Sequence, residues 1–485
     1  MRRLALLIPF ILPAALPAQG ALDAPGRAAP ESAAAVPPVP SAPSAPAARP
    51  VVPSFRSLRF DERWGATSPG LKHLPLAHDD RVFLTIGGQL RARGERVSHY
   101  LSEVEATHSD GYGGTRLLLS ADLWITTHAR LFVEGRDAVG LDRDLPGGRR
   151  TSDHDRADLQ NAFAEGRLLV RGTSVSARVG RQEMLLGRER LVGPADWSNA
   201  RRAFEGTRVM LARGATTLDV VLFRPVLVRS SAGNRADSAT ALRGLVLGRR
   251  GGALRSWQGY VLHFEQDSIQ FAGVAGSHRR VTVGARADGA LPRLGPVAFG
   301  WDAEGALQRG TLGSERIHAW FGVGELTGRL PDLPWRPSLS AGVELASGDA
   351  AVGDGRAGTF HQLFPSAHSH GGQADVIGRQ NARELRLSAA ATPVAPLAVR
   401  LSAHRFDRFR ASDAVYGKSG APLRTGDAAT NDLGTEIDLS ATWQLGRHLR
   451  LLAGAAHFAP GRWFDASTGG AHPIDWGYAG TTFTF

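Results

Sequence analysis

Leu84-Thr85-Ile86-Gly87-Gly88-Gln89-Leu90-Arg91-Ala92-Arg93-Gly94-Glu95 alternates with a period of two. Leu84, Ile86, Gly88, Leu90 and Ala92 fall on one face, and Thr85, Gln89, Arg91, Arg93 and Glu95 on the other. One apolar and one polar face, over the length a tilted strand needs to cross a bilayer, describe a membrane β-strand. The pattern recurs. Leu117, Leu119, Ala121, Leu123 and Ile125 oppose Arg116, Ser120, Asp122 and Trp124, and Thr435, Ile437, Leu439, Ala441 and Trp443 oppose Gly434, Glu436, Asp438, Ser440 and Thr442. A soluble sandwich also alternates, so repetition and strand length carry the argument, not one strand.

The ends of the chain agree. Met1-Arg2-Arg3, an apolar run over 4–16 broken by Pro9 and Pro13, and then Pro17-Ala18-Gln19 read as a signal peptide cut after Ala18. Residues 19–55, rich in Pro, Ala and Ser, cannot bury a core and read as a disordered periplasmic arm. Residues 56–485 are left for the barrel. No apolar run is long enough for a membrane helix, and only 42% of residues are hydrophobic, so a membrane protein of this polarity must alternate faces as a barrel does. Cysteine is absent, which excludes disulfides and thiol chemistry. The chain ends Tyr478-Ala479-Gly480-Thr481-Thr482-Phe483-Thr484-Phe485, and a last strand closing on Phe485 resembles the signal read by the outer-membrane barrel assembly machinery.

Barrels of this kind keep short turns in the periplasm and long loops outside. Counting back from the C-terminus gives outer loops at 459–474, 410–432 and 346–379, and inner turns at 446–448 and 393–396, with alternation expected to continue toward the N-terminus. Strands are predicted to start near 82, 115, 129, 160, 174, 205, 217, 241, 255, 279, 296, 316, 339, 380, 397, 433, 449 and 475. The fold class is therefore all-β, a transmembrane antiparallel up-and-down barrel of about eighteen porin-like strands, wide enough for water and a thin polymer.

The net charge is +11, or +9 once Arg2 and Arg3 leave, and Lys72 and Lys418 are the only lysines. Codon usage explains part of this arginine excess. The functional reading is an anion path, because guanidinium forks bind carboxylate and phosphate. Alternation turns Arg91, Arg93, Arg116, Arg130, Arg136, Arg167 and Arg178 inward, with Asp122, Glu134 and Glu165 beside them. The alternative is that these groups only pair and brace the lumen. Nucleic acid is a poor partner for a secreted chain of alternating strands.

Two loops depart from generic polar loops. Residues 181–206 interleave Arg181, Glu183, Arg190, Arg201, Arg202 and Glu205 with Trp197, Asn199 and Phe204, and are expected to fold into the lumen and narrow it. The second carries Ser347-Gly348-Asp349, then Thr359-Phe360 and Phe364-Pro365, then Asp375. These stretches resemble the signatures of the alginate export family of outer-membrane barrels. The match runs through Gly180-Arg181-Gln182-Glu183, Gly187, Arg190-Leu191, Asp196-Trp197, Asn199, Arg202, Phe204 and Gly206, with Glu205 where the family has Asp, and includes Ser412 to Gly420. The resemblance covers roughly residues 80–485. It implies an eighteen-stranded pore with an arginine-lined constriction passing an acidic polysaccharide, with loops gating the lumen. Outer-membrane lipids and periplasmic export partners are the other candidate partners, and no cofactor is expected.

Other chemistries are weaker. No nucleophile motif supports a lipid-modifying barrel enzyme. His361, His368 and His370 do not have the spacing of a closed metal site. Turn chemistry explains Asp349 and Asp354 as well as calcium does. Gly322-Val323-Gly324 lies on a predicted strand and is not a phosphate loop. A general anion-selective porin remains the main competitor.

Overall fold

The computed structural model describes residues 55–485 except 67, 69, 78–80, 101–108, 146–147, 230–231, 253, 425–428 and 469–470. The segments expected from the sequence to be a signal peptide and a Pro-rich arm lie, up to residue 54, outside the described residues. Eighteen strands form the wall. They are β1 (Phe83–Val97), β2 (Asp110–Thr126), β3 (Ala129–Leu141), β4 (Asp155–Val170), β5 (Thr173–Gln182), β6 (Phe204–Arg213), β7 (Thr216–Leu227), β8 (Thr240–Arg250) and β9 (Ser256–Phe271). The second half is β10 (Val274–Ala290), β11 (Ala298–Leu312), β12 (Glu315–Arg329), β13 (Ser338–Ala346), β14 (Ala382–Ala391), β15 (Leu397–Arg408), β16 (Asp432–Leu445), β17 (Leu449–Pro460) and β18 (Ile474–Thr484).

Each strand pairs antiparallel with the next, and β1 also pairs with β18, Gln89 opposite Thr484 and Val97 opposite Trp476. The sheet is thus closed and has no free edge to satisfy in lipid. Its outer face carries exposed Leu90, Leu119, Leu222, Val283, Leu307, Leu401 and Ile437. Such a band would be an aggregation hazard in water and is matched to hydrocarbon. Pairing puts the alternate residues inside: Gln89 lies opposite Leu118 and Leu118 opposite Arg136, all three buried.

Most strand starts fall within two residues of those predicted. Asp110, Asp155 and Val274 begin five residues earlier than expected. These extensions, such as Asp110-Gly111-Tyr112-Gly113-Gly114, lie at the long-loop end and lack an apolar outer stripe, so period-two patterning does not mark them. Loop-length alternation also fails at two places. Residues 272–273 and 313–314 are tight turns at the long-loop end. Ala272 and Gly273 both have positive φ (50° and 79°), the geometry of a two-residue hairpin turn.

Gly206 on β6 has φ +148°, and a Cβ there would overlap the Leu222 carbonyl oxygen of β7. Gly206→Ala is expected to cost on the order of 1–3 kcal/mol and to lower the thermal midpoint in detergent by several degrees. An unchanged midpoint would show that the wall relaxes freely there.

Candidate functional site

The inner wall from β2 to β6 is a lattice of charge pairs. Glu165 Oε2 accepts from Arg130 Nη2 (3.1 Å) and Arg178 Nη2 (2.6 Å), and its Oε1 from Arg167 Nη2 (2.6 Å). Arg130 Nη1 also reaches Asp122 Oδ2 (3.2 Å). Arg136 bonds Asp155 and Gln160, and Asn161 donates to Glu134 Oε1 at 2.9 Å. Buried charge is tolerated only when paired in this way, and removing one partner of such a pair costs about 3–5 kcal/mol.

Residues 183–203, between β5 and β6, cross the bore and are tied to both walls. On the β1–β2 side, Arg91 donates to the carbonyl oxygens of Asp196 (2.6 Å), Trp197 (3.1 Å) and Ser198 (2.9 Å) and to Asn199 Oδ1 (2.7 Å). Arg116 Nη2 meets Asp196 Oδ1 at 2.8 Å, and Arg93 lies over the Trp197 ring at 3.8 Å while pairing with Glu95 at 2.7 Å. Arg201 is held between Glu183 (2.6 Å) and Asp196 (3.1 Å). On the β11 side, Arg190 Nη1 sits between Asp302 Oδ1 (2.9 Å) and Glu304 Oε2 (3.0 Å). Met184, Leu186, Leu191 and Val192 pack on inward Val221, Phe223, Leu242 and Leu262 of β7–β9. The polar ends and apolar middle of this loop therefore match the two kinds of wall.

The loop between β13 and β14 joins it. Gly193 N donates to the Phe364 carbonyl (2.9 Å) and Phe364 N to the Leu191 carbonyl (2.8 Å). Arg202 Nη1 clamps the carbonyls of Gly193 (3.0 Å), Phe364 (2.6 Å) and Pro365 (2.9 Å). Phe360 stacks on Phe321, Phe364 lies edge-on to Phe204, and Arg379 binds Glu344 and the Arg190 carbonyl. Asp413, from the loop between β15 and β16, accepts from Asp349 N (2.8 Å), Thr359 Oγ1 (2.6 Å) and Tyr416 Oη (2.8 Å). Ser347 Oγ donates to the Gly358 carbonyl at 2.8 Å, and a Cβ on Gly348 would collide with Asn381. Lys418 donates to the carbonyls of His370 and Gly371. The three motif-bearing segments form one packed body inside the long-loop half of the bore.

A fourth segment was not foreseen from sequence. Phe60 enters the bore from the short-turn end, between Phe132 and Phe163 (centroids 5.7 and 5.3 Å), with Arg178 over its ring at 4.4 Å. Arg130 Nη1 bonds the Phe60 carbonyl (3.1 Å), Arg59 pairs with Glu62 (2.8 Å), and Lys72 Nζ bonds the Phe485 carbonyl (3.2 Å). The one available signal was three aromatics, Phe55, Phe60 and Trp64, directly after a stretch, 19–54, without any.

Two expected lumen residues lie elsewhere. Arg178 and Gly180 hold the inward phase of β5, so Arg181 turns to the other face, where it binds Glu205 Oε1 (2.6 Å), Asp158 Oδ1 (3.1 Å) and the Asn234 carbonyl (2.8 Å). Glu205 is on that face with it. The histidines are not brought together as ligands. His361 Nδ1 accepts from Leu363 N, His368 stacks on Trp197 at 3.9 Å and pairs with Asp375 at 2.8 Å, and His370 bonds the Arg188 carbonyl. Asp349 Oδ1 accepts from Ala350 N and Gly358 N, and Asp354 Oδ1 from Arg356 N, as turn residues do.

A closed antiparallel wall with an apolar exterior and a charged interior crossed by a folded-in loop defines a channel of the outer-membrane porin type. Solved Pseudomonas aeruginosa channels share the fold. OccK11 (OpdR) matches at TM-score 0.53 and 16% identity over 86% of this chain and 99% of its own. OpdK, solved with vanillate, matches at 0.55 and 12% over 82% and 98%, and OccK2 (OpdF), solved with glucuronate, at 0.53 and 13% over 82% and 96%. No curated protein matches. The chain belongs to the alginate export family, whose model matches residues 82–476.

Asp196 is the hub of the crossing loop, with 39% of its side chain facing open space. Burial acts to raise its carboxyl, but Arg116, Arg201 and Arg91 outweigh this and hold it well below the usual carboxylate range. A carboxylate depressed in the folded state stabilises above its unfolded value, about 3.9, and loses that contribution as pH falls through the lower folded value. The thermal midpoint of Asp196→Asn should therefore lie below wild type by a constant interval from pH 8 to 5, and the gap should close only in stronger acid. A gap that closes between pH 7 and 5 would assign the effect to another group.

Proposed function

We propose that the protein carries an anionic exopolysaccharide, a polyuronate of the alginate kind, out across the outer membrane. Membership of the alginate export family through residues 82–476 carries this reading. The arginine-rich bore supports it, since fixed guanidinium groups lower the electrostatic cost of a carboxylate in a narrow passage. Interleaved acids keep binding weak enough for release. The related fold of OccK2 was solved with glucuronate, itself a sugar carboxylate. In this reading the leader and Pro-rich arm place the short turns in the periplasm, and Phe485 engages the barrel assembly machinery.

In planar bilayers the protein should form anion-selective channels that acidic oligouronates block and neutral oligosaccharides of equal length do not. Arg201→Ser with Arg202→Ser should lower the anion preference in the reversal potential. It should also raise conductance, because Arg202 joins the two folded-in loops. Passage of small acids unaffected by oligouronate would favour a general porin instead, and unchanged reversal potentials would make the two arginines purely structural.

A further inference from the structure

The arginines that sequence alternation marks as pore-lining are engaged by carboxylates or by loop carbonyls, as described above. Those pairings leave little of their guanidinium capacity for a passing ligand. Among the other strand arginines of the inward phase, such as Arg208 and Arg286, which pair with Asp219 and Asp302, four stand apart: Arg250, Arg329, Arg400 and Arg450. Among the described residues none of the four has an ion-pair or side-chain hydrogen-bond partner. All four sit at the short-turn end, where β8 and β12 finish and β15 and β17 begin.

Two of them lie in one lateral row. Arg329 is opposite Ser338, Ser338 opposite Ala390, Ala390 opposite Arg400, and Arg400 opposite Ser440. Three strand spacings put the backbones at Arg329 and Arg400 about 14 Å apart along the wall, with only small side chains between. One row deeper, Thr327 bonds Ser340 and Ser388 bonds Ser402, each at 2.9 Å. A cavity of about 210 Å³ opens on this wall, lined by Arg336, Ser338, Thr392, Arg400, Ser440 and Thr442. The opposite inner wall is the one occupied by Phe60.

We infer that this mouth is a capture site for a carboxylate-bearing sugar chain, with Arg329 and Arg400 as the anionic contacts and the hydroxyls between them meeting the sugar. Open guanidinium forks bind carboxylate in pairs of hydrogen bonds, and Ser and Thr satisfy ring hydroxyls in either direction. Small side chains leave room for the chain to lie flat. Long-range attraction at the mouth raises the association rate more than it deepens binding, which suits a polymer that must move on.

The inference rests on the polyuronate reading, and one experiment separates the two. Acidic oligouronate is added to either chamber of a planar bilayer holding oriented wild-type channels, Arg329→Ser/Arg400→Ser channels or Arg329→Lys/Arg400→Lys channels. For the serine variant, the blocking on-rate from the short-turn side should fall about tenfold at low salt and by much less at 1 M salt. Its on-rate from the other side should be unchanged, and the lysine variant should keep most of the wild-type rate. Equal on-rates in wild type and the serine variant would overturn the capture site and leave the polyuronate reading standing. Absence of block in wild type from either side would overturn both.

Discussion

Closure of the β1–β18 seam is the constraint on which everything else depends. A backbone amide facing hydrocarbon has no partner unless the next strand supplies one, and a ring of eighteen strands supplies it everywhere. Once the ring is closed, alternation separates two solvents along every strand. The outward residues are chosen by lipid and the inward ones by each other. This is why the interior holds charge in quantity: lipid has no access to it, and a guanidinium on one strand can find an acid on the next, as Arg130 finds Asp122 and Glu165.

The wide ring creates a second problem, which is empty space. Three loops and the segment around Phe60 fill much of it, each with the chemistry of the wall it meets. Where the wall offers Arg91 and Arg116, the crossing loop offers carbonyls and Asp196. Where the wall offers Leu242 and Leu262, it offers Met184 and Leu186. Family signature residues concentrate at these junctions. Arg202 gives the plainest case, since its one guanidinium nitrogen holds three carbonyls from two loops.

The ring was legible in the sequence because period-two alternation is local: Leu84 to Glu95 can be read without knowing its neighbours. Strand number and most boundaries followed from it. The outer extensions at Asp110 and Asp155 did not, because beyond the bilayer no apolar stripe is needed. The two tight turns at 272–273 and 313–314 were hidden for a similar reason, since loop length is a tendency of the class and not a requirement of closure. Alternation also gave the inward faces but not the partners. It could not tell that Arg91 would be spent on loop carbonyls while Arg400 stays open, nor that Phe60 would return into the bore. Those outcomes depend on contacts between residues far apart in the chain, such as Phe60 with Arg130 and Arg91 with Asn199.

The crossing loop has a geometric corollary. A bar fixed at opposite points of a hoop divides it into two crescents, and the widest object that can pass is set by a crescent's depth, not by the hoop's diameter. Adding strands to such a barrel would deepen each crescent by only about half the added diameter, while moving either foot of the bar, at Arg190 or at Asp196, would change both at once.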